Sequence, residues 1–227
     1  MTARRLSRSV EDYLKAIYGL SEGGDPASTS AIAEALDVQP ASVTGMVKRL
    51  AEAGLLEHVP YKGVRLTGQG TRDALRVLRR HRILETYLCE RLGYSWDDVH
   101  EEAERLEHAA SEQLIEKMAM ALGSPSHDPH GAPIPTRGGD IEYADPATLA
   151  DARPGDRVRI RAVRDEDSAD LRSMAAEGLV PGARVLVTHG RSLDGAVEIS
   201  LDQAGGESRA VHAELARQIY VVPDDES

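Results

Sequence analysis

Residues 28–67 read as a short helix, a three-residue turn, a longer helix and two short apolar stretches joined by a tight turn. Ile32, Ala33 and Leu36 give the first segment one apolar face. Asp37-Val38-Gln39 is the turn, and Pro40 suits the first turn of the next helix, where its missing N–H costs nothing. Val43, Met46, Val47 and Leu50 then recur at helical spacing, and Gly54 stops the helix. Leu55 to Thr67, turning at Tyr61-Lys62-Gly63, reads as a β-hairpin. This order is that of a winged helix-turn-helix, which presents its second helix to a surface, most often the DNA major groove.

The residues on the outer face of that helix are Gln39, Ala41, Ser42, Thr44, Gly45 and Lys48. They are small or polar, so the backbone can approach base edges closely. Arg4, Arg5 and Arg8 on the N-terminal arm, Arg49, and Lys62 and Arg65 on the wing suit phosphates, and Ser28 is a further candidate DNA contact. The other use of such a module is protein binding. The net charge of −11 argues against nucleic acid only until its distribution is read. Residues 1–80 hold 12 Lys/Arg against 9 Asp/Glu, a balance of +3, and residues 81–227 hold 15 against 29, a balance of −14. A basic end on an acidic chain suits a localised phosphate-binding module.

A first helix over 9–20, with Ser9 as cap, precedes this module, and a long helix from Thr71 to about Leu92 follows it. Two more helices are expected over 97–106 and 111–122, the lower one continuing its face to Glu107 and His108. There is no Phe in the chain, so these cores are aliphatic. Residues 124–151, rich in Pro, Gly, Asp and His, read as a linker. Beyond it, Pro154-Gly155-Asp156-Arg157-Val158-Arg159-Ile160 is nearly repeated by Pro181-Gly182-Ala183-Arg184-Val185-Leu186-Val187, each a turn followed by an alternating strand. Further strands at 197–201 and 219–222 and a short helix at 168–177 complete a small β-barrel. The fold class is mainly α with a small β part. Its expected domains are 1–73, winged helix-turn-helix; 74–140, helical; and 141–227, linker and barrel.

The single cysteine, Cys89, excludes an internal disulfide and a CxxC zinc site. No apolar run approaches the ~18 residues needed to span a membrane. Residues 1–12 are charged and lack the apolar core of a secretory signal, which points to the cytoplasm.

The middle helices carry side chains able to bind metal. His81 and Glu85 are four residues apart, and His100, Glu104, Glu107 and His108 follow helical spacing closely enough to share a face. Asp12 lies one turn into the first helix. Imidazoles and carboxylates without thiolates suit Mn(II) or Fe(II). The same residues also read as a solvated acidic face, with Glu101, Glu102 and Glu112 beside them.

The segments 10–18, 42–47, 80–85, 99–108, 128–135 and 177–182 resemble the diphtheria toxin repressor family of metal-dependent regulators, in its manganese-responsive branch. The resemblance extends from about residue 7 to the C-terminus, and Glu104, Glu107 and His108 are its most specific element. It implies a primary metal site of Asp12, Glu104, Glu107 and His108 and an ancillary site of His81, Glu85 and His100. It also implies that the middle domain dimerises and that the C-terminal barrel is SH3-like, of FeoA type. Asp167 and Asp170 are the nearest match to ligands that longer members donate from the barrel. Iron-type members carry Met and Cys where Asp12 and Glu104 stand, so the harder donors here favour Mn(II), with Fe(II) the alternative. Lys15 stands where short manganese regulators place a Glu that binds a second ion, which argues against a binuclear cluster of that kind.

The expected protein is therefore a homodimeric, metal-activated repressor of a palindromic double-stranded DNA operator, controlling metal homeostasis. It is neither an enzyme nor membrane-bound. Three rivals are an iron-dependent repressor of the same family, a metal-independent winged-helix regulator, and a metallohydrolase using His81, Glu85, His100 and Glu104. The last lacks any nucleophile motif or substrate loop near these helices.

Overall fold

The computed structural model describes residues 6–22, 24–141, 147–164, 168–189, 195–201 and 208–224. By contact, the chain divides into two compact units. One comprises residues 1–82, 105–117 and 134–141; the other comprises 83–104, 118–133 and 142–227.

The first unit opens with α1 (Arg8–Leu20). Its cap differs from expectation. Ser7 is the last extended residue, and its carbonyl receives the Val10 and Glu11 N–H groups, so Ser9 lies inside the first turn rather than capping it. In α2 (Thr29–Ala35), Ser28 is the N-cap and accepts a hydrogen bond from Ala31 N at 3.1 Å. α3 (Pro40–Glu52) starts at the proline, as expected. The hairpin pairs β1 (Leu56–Val59) with β2 (Gly63–Leu66) antiparallel, with Leu56 opposite Leu66 and Val59 opposite Gly63.

The hairpin is met by one isolated bridge that sequence periodicity did not reveal. Ala27 exchanges two 2.9 Å backbone hydrogen bonds with Val64. The contact is so close that a Cβ on Gly63 would lie 2.1 Å from Ala27 O, and only glycine fits there. Tyr13, Leu14, Ile17, Ile32, Val43, Met46, Val47, Leu50, Leu55, Leu56 and Val64 form one buried core beneath the three helices and the wing. Burying these aliphatic faces is the main stabilisation of such a module.

The long helix α4 (Gly68–Leu92) begins three residues before the expected Thr71, because the Thr67 hydroxyl accepts from Gly70 N at 3.1 Å and caps it. α5 (Val99–Leu106) is shorter than expected; Glu107 and His108 lie in the turn just past its end. α6 (Glu112–Ala121) follows. Within the first unit, Arg79 on α4 pairs with Glu116 on α6 at 3.1 Å.

In the second unit, β3 (Arg157–Val163), β4 (Arg184–His189), β5 (Val197–Leu201), β6 (Ser208–Val211) and β7 (Ile219–Pro223) form one antiparallel sheet in the order β6-β5-β4-β3-β7. Among the described residues the edge strands β6 and β7 do not pair, so the SH3-like sheet is not closed into a full barrel. α7 (Ser168–Ala176) and α8 (Ala213–Ala216) complete the unit. β6 and α8 are too short to leave a periodic signature.

The near-repeat has a structural meaning. Gly155 and Gly182 both adopt left-handed backbone, at φ 90° and 91°. Gly155 N donates to Val187 O at 2.8 Å, and Gly182 N donates to Ile160 O at 2.7 Å. Val187 N and Ile160 N return hydrogen bonds to Asp156 O and Ala183 O. The two copies thus clasp one another reciprocally. Ile160, Leu171, Met174, Leu179, Val187, Ile199 and Ile219 pack the core beneath them.

Candidate metal centre

In the first unit, the aliphatic face of α1 (Leu14 and Ile17) turns inward. The same helix presents Glu11, Asp12 and Lys15 to the turn after α5. There one ligand atom each from Asp12, Glu107 and His108 lie within 4.8 Å of one another. His108 Nε2 is 2.8 Å from Asp12 Oδ1 and 3.4 Å from Glu107 Oε1. On the other side of the ring, His108 Nδ1–H donates to Glu11 Oε2 at 2.7 Å, and Glu11 Oε1 is held by Arg80 Nη2 at 2.6 Å.

Glu107 is fully buried. His81 Nδ1 is 2.7 Å from its Oε2, and Lys15 Nζ donates to both carboxylate oxygens, at 3.0 and 3.1 Å. Burial alone would raise the Glu107 carboxyl. The hydrogen bond with His81 and the positive charges of Lys15 and His81 outweigh burial and hold it below the usual carboxylate range. Two carboxylates and an imidazole that converge within 4.8 Å fit a divalent ion such as Mn(II) or Fe(II).

The ancillary residues divide between the units. His81 serves Glu107 in the first. In the second, Glu85 is fully buried, with Oε1 3.1 Å from His100 Nδ1. Glu104, expected among the primary ligands, does not join Asp12, Glu107 and His108; its Oε1 is 3.7 Å from His100 Nε2.

A second metal-competent cluster was not expected from the sequence. Glu85, Asp128 and His130, all buried, bring one ligand atom each within 4.8 Å. The turn that places them is tightly built. Asp128 Oδ1 accepts from His130 N and Ala132 N, each at 2.9 Å, and a Cβ on Gly131 would lie 2.1 Å from Arg161 O on β3. His130 Nε2 lies 2.7 Å from the Trp96 carbonyl, which can only accept, so Nε2 carries the proton. Its Nδ1 faces Glu85 Oε2 at 3.8 Å. A fixed tautomer of this kind is how proteins present a histidine to a metal. The run Asp128-Pro129-His130-Gly131 is a structural turn, and the cluster it forms with Glu85, far away in sequence, is one that could hold an ion.

Of the barrel candidates, Asp170 accepts from Gln218 Nε2 at 2.9 Å, and Asp167 lies outside the described residues.

On the recognition face, Gln39, Ala41, Ser42, Thr44, Gly45, Lys48 and Arg49 are all exposed along α3. A Cβ on Gly45 would meet nothing within 4 Å. Thr44 Oγ1 donates back to Pro40 O at 3.1 Å, and Arg49 reaches Met46 Sδ at 3.3 Å. Lys62 is exposed on the wing, whereas Arg65 Nη2 donates to Gly24 O at 2.6 Å. Arg8 is exposed near Asp12, at 4.0 Å, and Arg4 and Arg5 lie outside the described residues. Ser28, one of the expected DNA contacts, is engaged as the α2 cap.

Comparison with known proteins agrees with this architecture. Residues 5–64 match the iron dependent repressor N-terminal DNA binding domain, 67–136 the iron dependent repressor metal binding and dimerisation domain, and 147–223 the FeoA domain. The iron-dependent repressor IdeR of Mycobacterium tuberculosis is 33% identical over 79% of this chain and 83% of its own. The regulator MntR of Oceanobacillus iheyensis is 40% identical over 48% of this chain and 74% of its own. Among solved structures, a manganese-dependent transcriptional repressor in complex with manganese superposes with a TM-score of 0.89 at 38% identity, covering 94% of this chain and 99% of that one. The manganese regulator SloR gives 0.81 at 32%, covering 95% and 98%. No described helix is long and apolar enough to cross a membrane. A DNA-binding module, a metal-competent cluster on its first helix and an SH3-like appendage in one chain are together the plan of the diphtheria toxin repressor family, and this protein is one of its metal-dependent transcriptional repressors.

Proposed function

We propose that this chain is a Mn(II)-activated repressor, acting as a cytoplasmic homodimer on a palindromic operator, with no catalytic activity of its own. The observation that carries the reading is the convergence of Asp12, on the first helix of the DNA-binding module, with Glu107 and His108. An ion held there supplies positive charge that lets these carboxylates share one site. Without it, Asp12 and Glu107 repel, and α1 is held less firmly to the turn after α5. The ion therefore has different affinity for two states of the chain, as a population shift requires. A coupling of ~1–3 kcal/mol changes DNA affinity roughly 5–150-fold.

In a dimer, two recognition helices set about one helical turn apart, roughly 34 Å, read the two halves of a palindrome. The donors at Asp12 and Glu107 are hard oxygens, which favours Mn(II) over softer ions. Fe(II) is the second reading, favoured by the likeness to IdeR. Glu85, Asp128 and His130, with His100 beside Glu85, supply a second ion site in the other unit.

The test is a DNA gel shift titrated with Mn(II), Fe(II), Co(II) and Zn(II) under anaerobic, reducing conditions, paired with metal content after native purification. Binding that needs Mn(II) or Fe(II) supports the reading. Metal-independent binding replaces it with a metal-blind winged-helix regulator, and no DNA binding with a metallohydrolase.

A further inference from the structure

Lys15 stands in a position that the proposed function does not use. Its ammonium donates to both oxygens of Glu107, at 3.0 and 3.1 Å. Glu107 is fully buried and is the central carboxylate of the cluster. Lys15 lies on α1 one turn beyond Asp12, so the helix that offers a ligand to the site also offers a cation to it. Two imidazoles also face Glu107: His81 Nδ1 at 2.7 Å from Oε2 and His108 Nε2 at 3.4 Å from Oε1. A carboxylate with no water access cannot tolerate being unpaired, and Lys15 gives it a counter-charge in the absence of metal.

We propose that Lys15 is a tethered competitor for the primary cation. Its ammonium pairs with Glu107, and an ion fills the site only to the extent that it outcompetes this internal charge. Lys15 then has two effects. It keeps the buried Glu107 carboxylate satisfied while the site holds no metal. It also raises the metal concentration at which the site fills, so that the chain responds to an excess of the ion rather than to traces. A neutral side chain of similar length would fill the space and remove the competition. This rests on the reading of Asp12, Glu107 and His108 as metal ligands.

The experiment measures Mn(II) binding to the full-length, metal-stripped protein by the electron paramagnetic resonance signal of free Mn(II), with no DNA present. Wild type is compared with Lys15→Met, Lys15→Gln, Lys15→Arg, Glu107→Gln and, as a distant lysine control, Lys62→Met. Lys15→Met and Lys15→Gln are expected to bind Mn(II) about tenfold more tightly, a difference of ~1.4 kcal/mol. Lys15→Arg, which keeps a cation, and Lys62→Met should stay within about twofold of wild type, below ~0.5 kcal/mol. Thermal melts in chelator supply the second readout: Lys15→Met should melt below wild type without metal and gain more from Mn(II), since only the native state binds it. If Lys15→Met and Lys15→Gln bind no more tightly than Lys15→Arg while Glu107→Gln loses binding, the metal site stands and the competitor does not. If Glu107→Gln binds like wild type, the site assignment itself falls, and the competitor with it.

Discussion

The imidazole of His108 is clamped by Glu11: its Nδ1–H donates to Glu11 Oε2 at 2.7 Å, while Arg80 holds the other Glu11 oxygen at 2.6 Å. The ring's orientation is therefore set from α1, one residue before the proposed ligand Asp12. Carboxylates that accept from the free nitrogen of a metal-binding histidine raise its basicity and fix its tautomer, and losing them typically costs 10–100-fold in metal affinity. Glu11→Ala should weaken Mn(II) binding by roughly tenfold. Glu11→Gln, which still accepts from Nδ1–H, should recover part of that loss. Equilibrium dialysis against Mn(II) checks both; unchanged affinity in Glu11→Ala would remove Glu11 from the site.

Gly45 lies in the middle of α3 and is fully open on its outer side. An exposed helix-interior glycine costs ~1 kcal/mol relative to alanine, and no packing among the described residues explains it. Close approach of DNA to this face would. Gly45→Ala is expected to stabilise the protein by up to ~1 kcal/mol in urea melts and to weaken operator binding in the same preparation. Lys48→Ala should weaken DNA binding while leaving metal affinity intact, and should reduce the salt slope by about one unit if the ammonium meets a phosphate. Gly45→Ala with unchanged DNA affinity would move the interface off this face.

Cys89 is half-buried on α4. Burial, followed by the charges of Glu85, Asp128, Glu90 and Asp97, pushes its thiol up to about 12. A raised value keeps the thiol protonated and unreactive across the neutral range, because the thiolate is the nucleophile. Alkylation by iodoacetamide at pH 8 should be very slow in the native protein and fast in denaturant. Rapid native alkylation would mean that the acidic surroundings of Cys89 are not as described.

The winged helix was legible because its signals are local: Pro40 opening α3, Gly54 closing it, and an apolar stripe at helical spacing between them. The pairing of Ala27 with Val64 was not, because a single bridge leaves no periodicity. Asp12, Glu107 and His108 came from a likeness between sequences, and the fold then brought two distant segments together. Glu11 and Arg80 carried no signal of their own, and Lys15 was read only as the loss of a ligand. Their importance lies in the partners that folding gives them. The surroundings of His130 were not legible for a related reason: they depend on a carbonyl at Trp96 and a carboxylate at Glu85, neither near it in sequence.

Asp12 and His130 separate the two proposed sites by consequence. Asp12 is the proposed ligand on α1, so Asp12→Ala should keep the fold but lose metal-dependent DNA binding, because the ion no longer holds the DNA-binding module. His130 lies in the other unit, and its ring is fixed by the Trp96 carbonyl. His130→Ala should bind one Mn(II) fewer per chain than wild type. It should keep a metal-dependent gel shift, moved to higher Mn(II), since it leaves the primary ligands untouched. Metal content by mass spectrometry, read beside Mn(II)-titrated gel shifts, distinguishes the two. If Asp12→Ala still represses in a manganese-dependent way, α1 is not the coupling element. If His130→Ala binds as many ions as wild type, the cluster of Glu85, Asp128 and His130 is a buried polar network rather than a metal site.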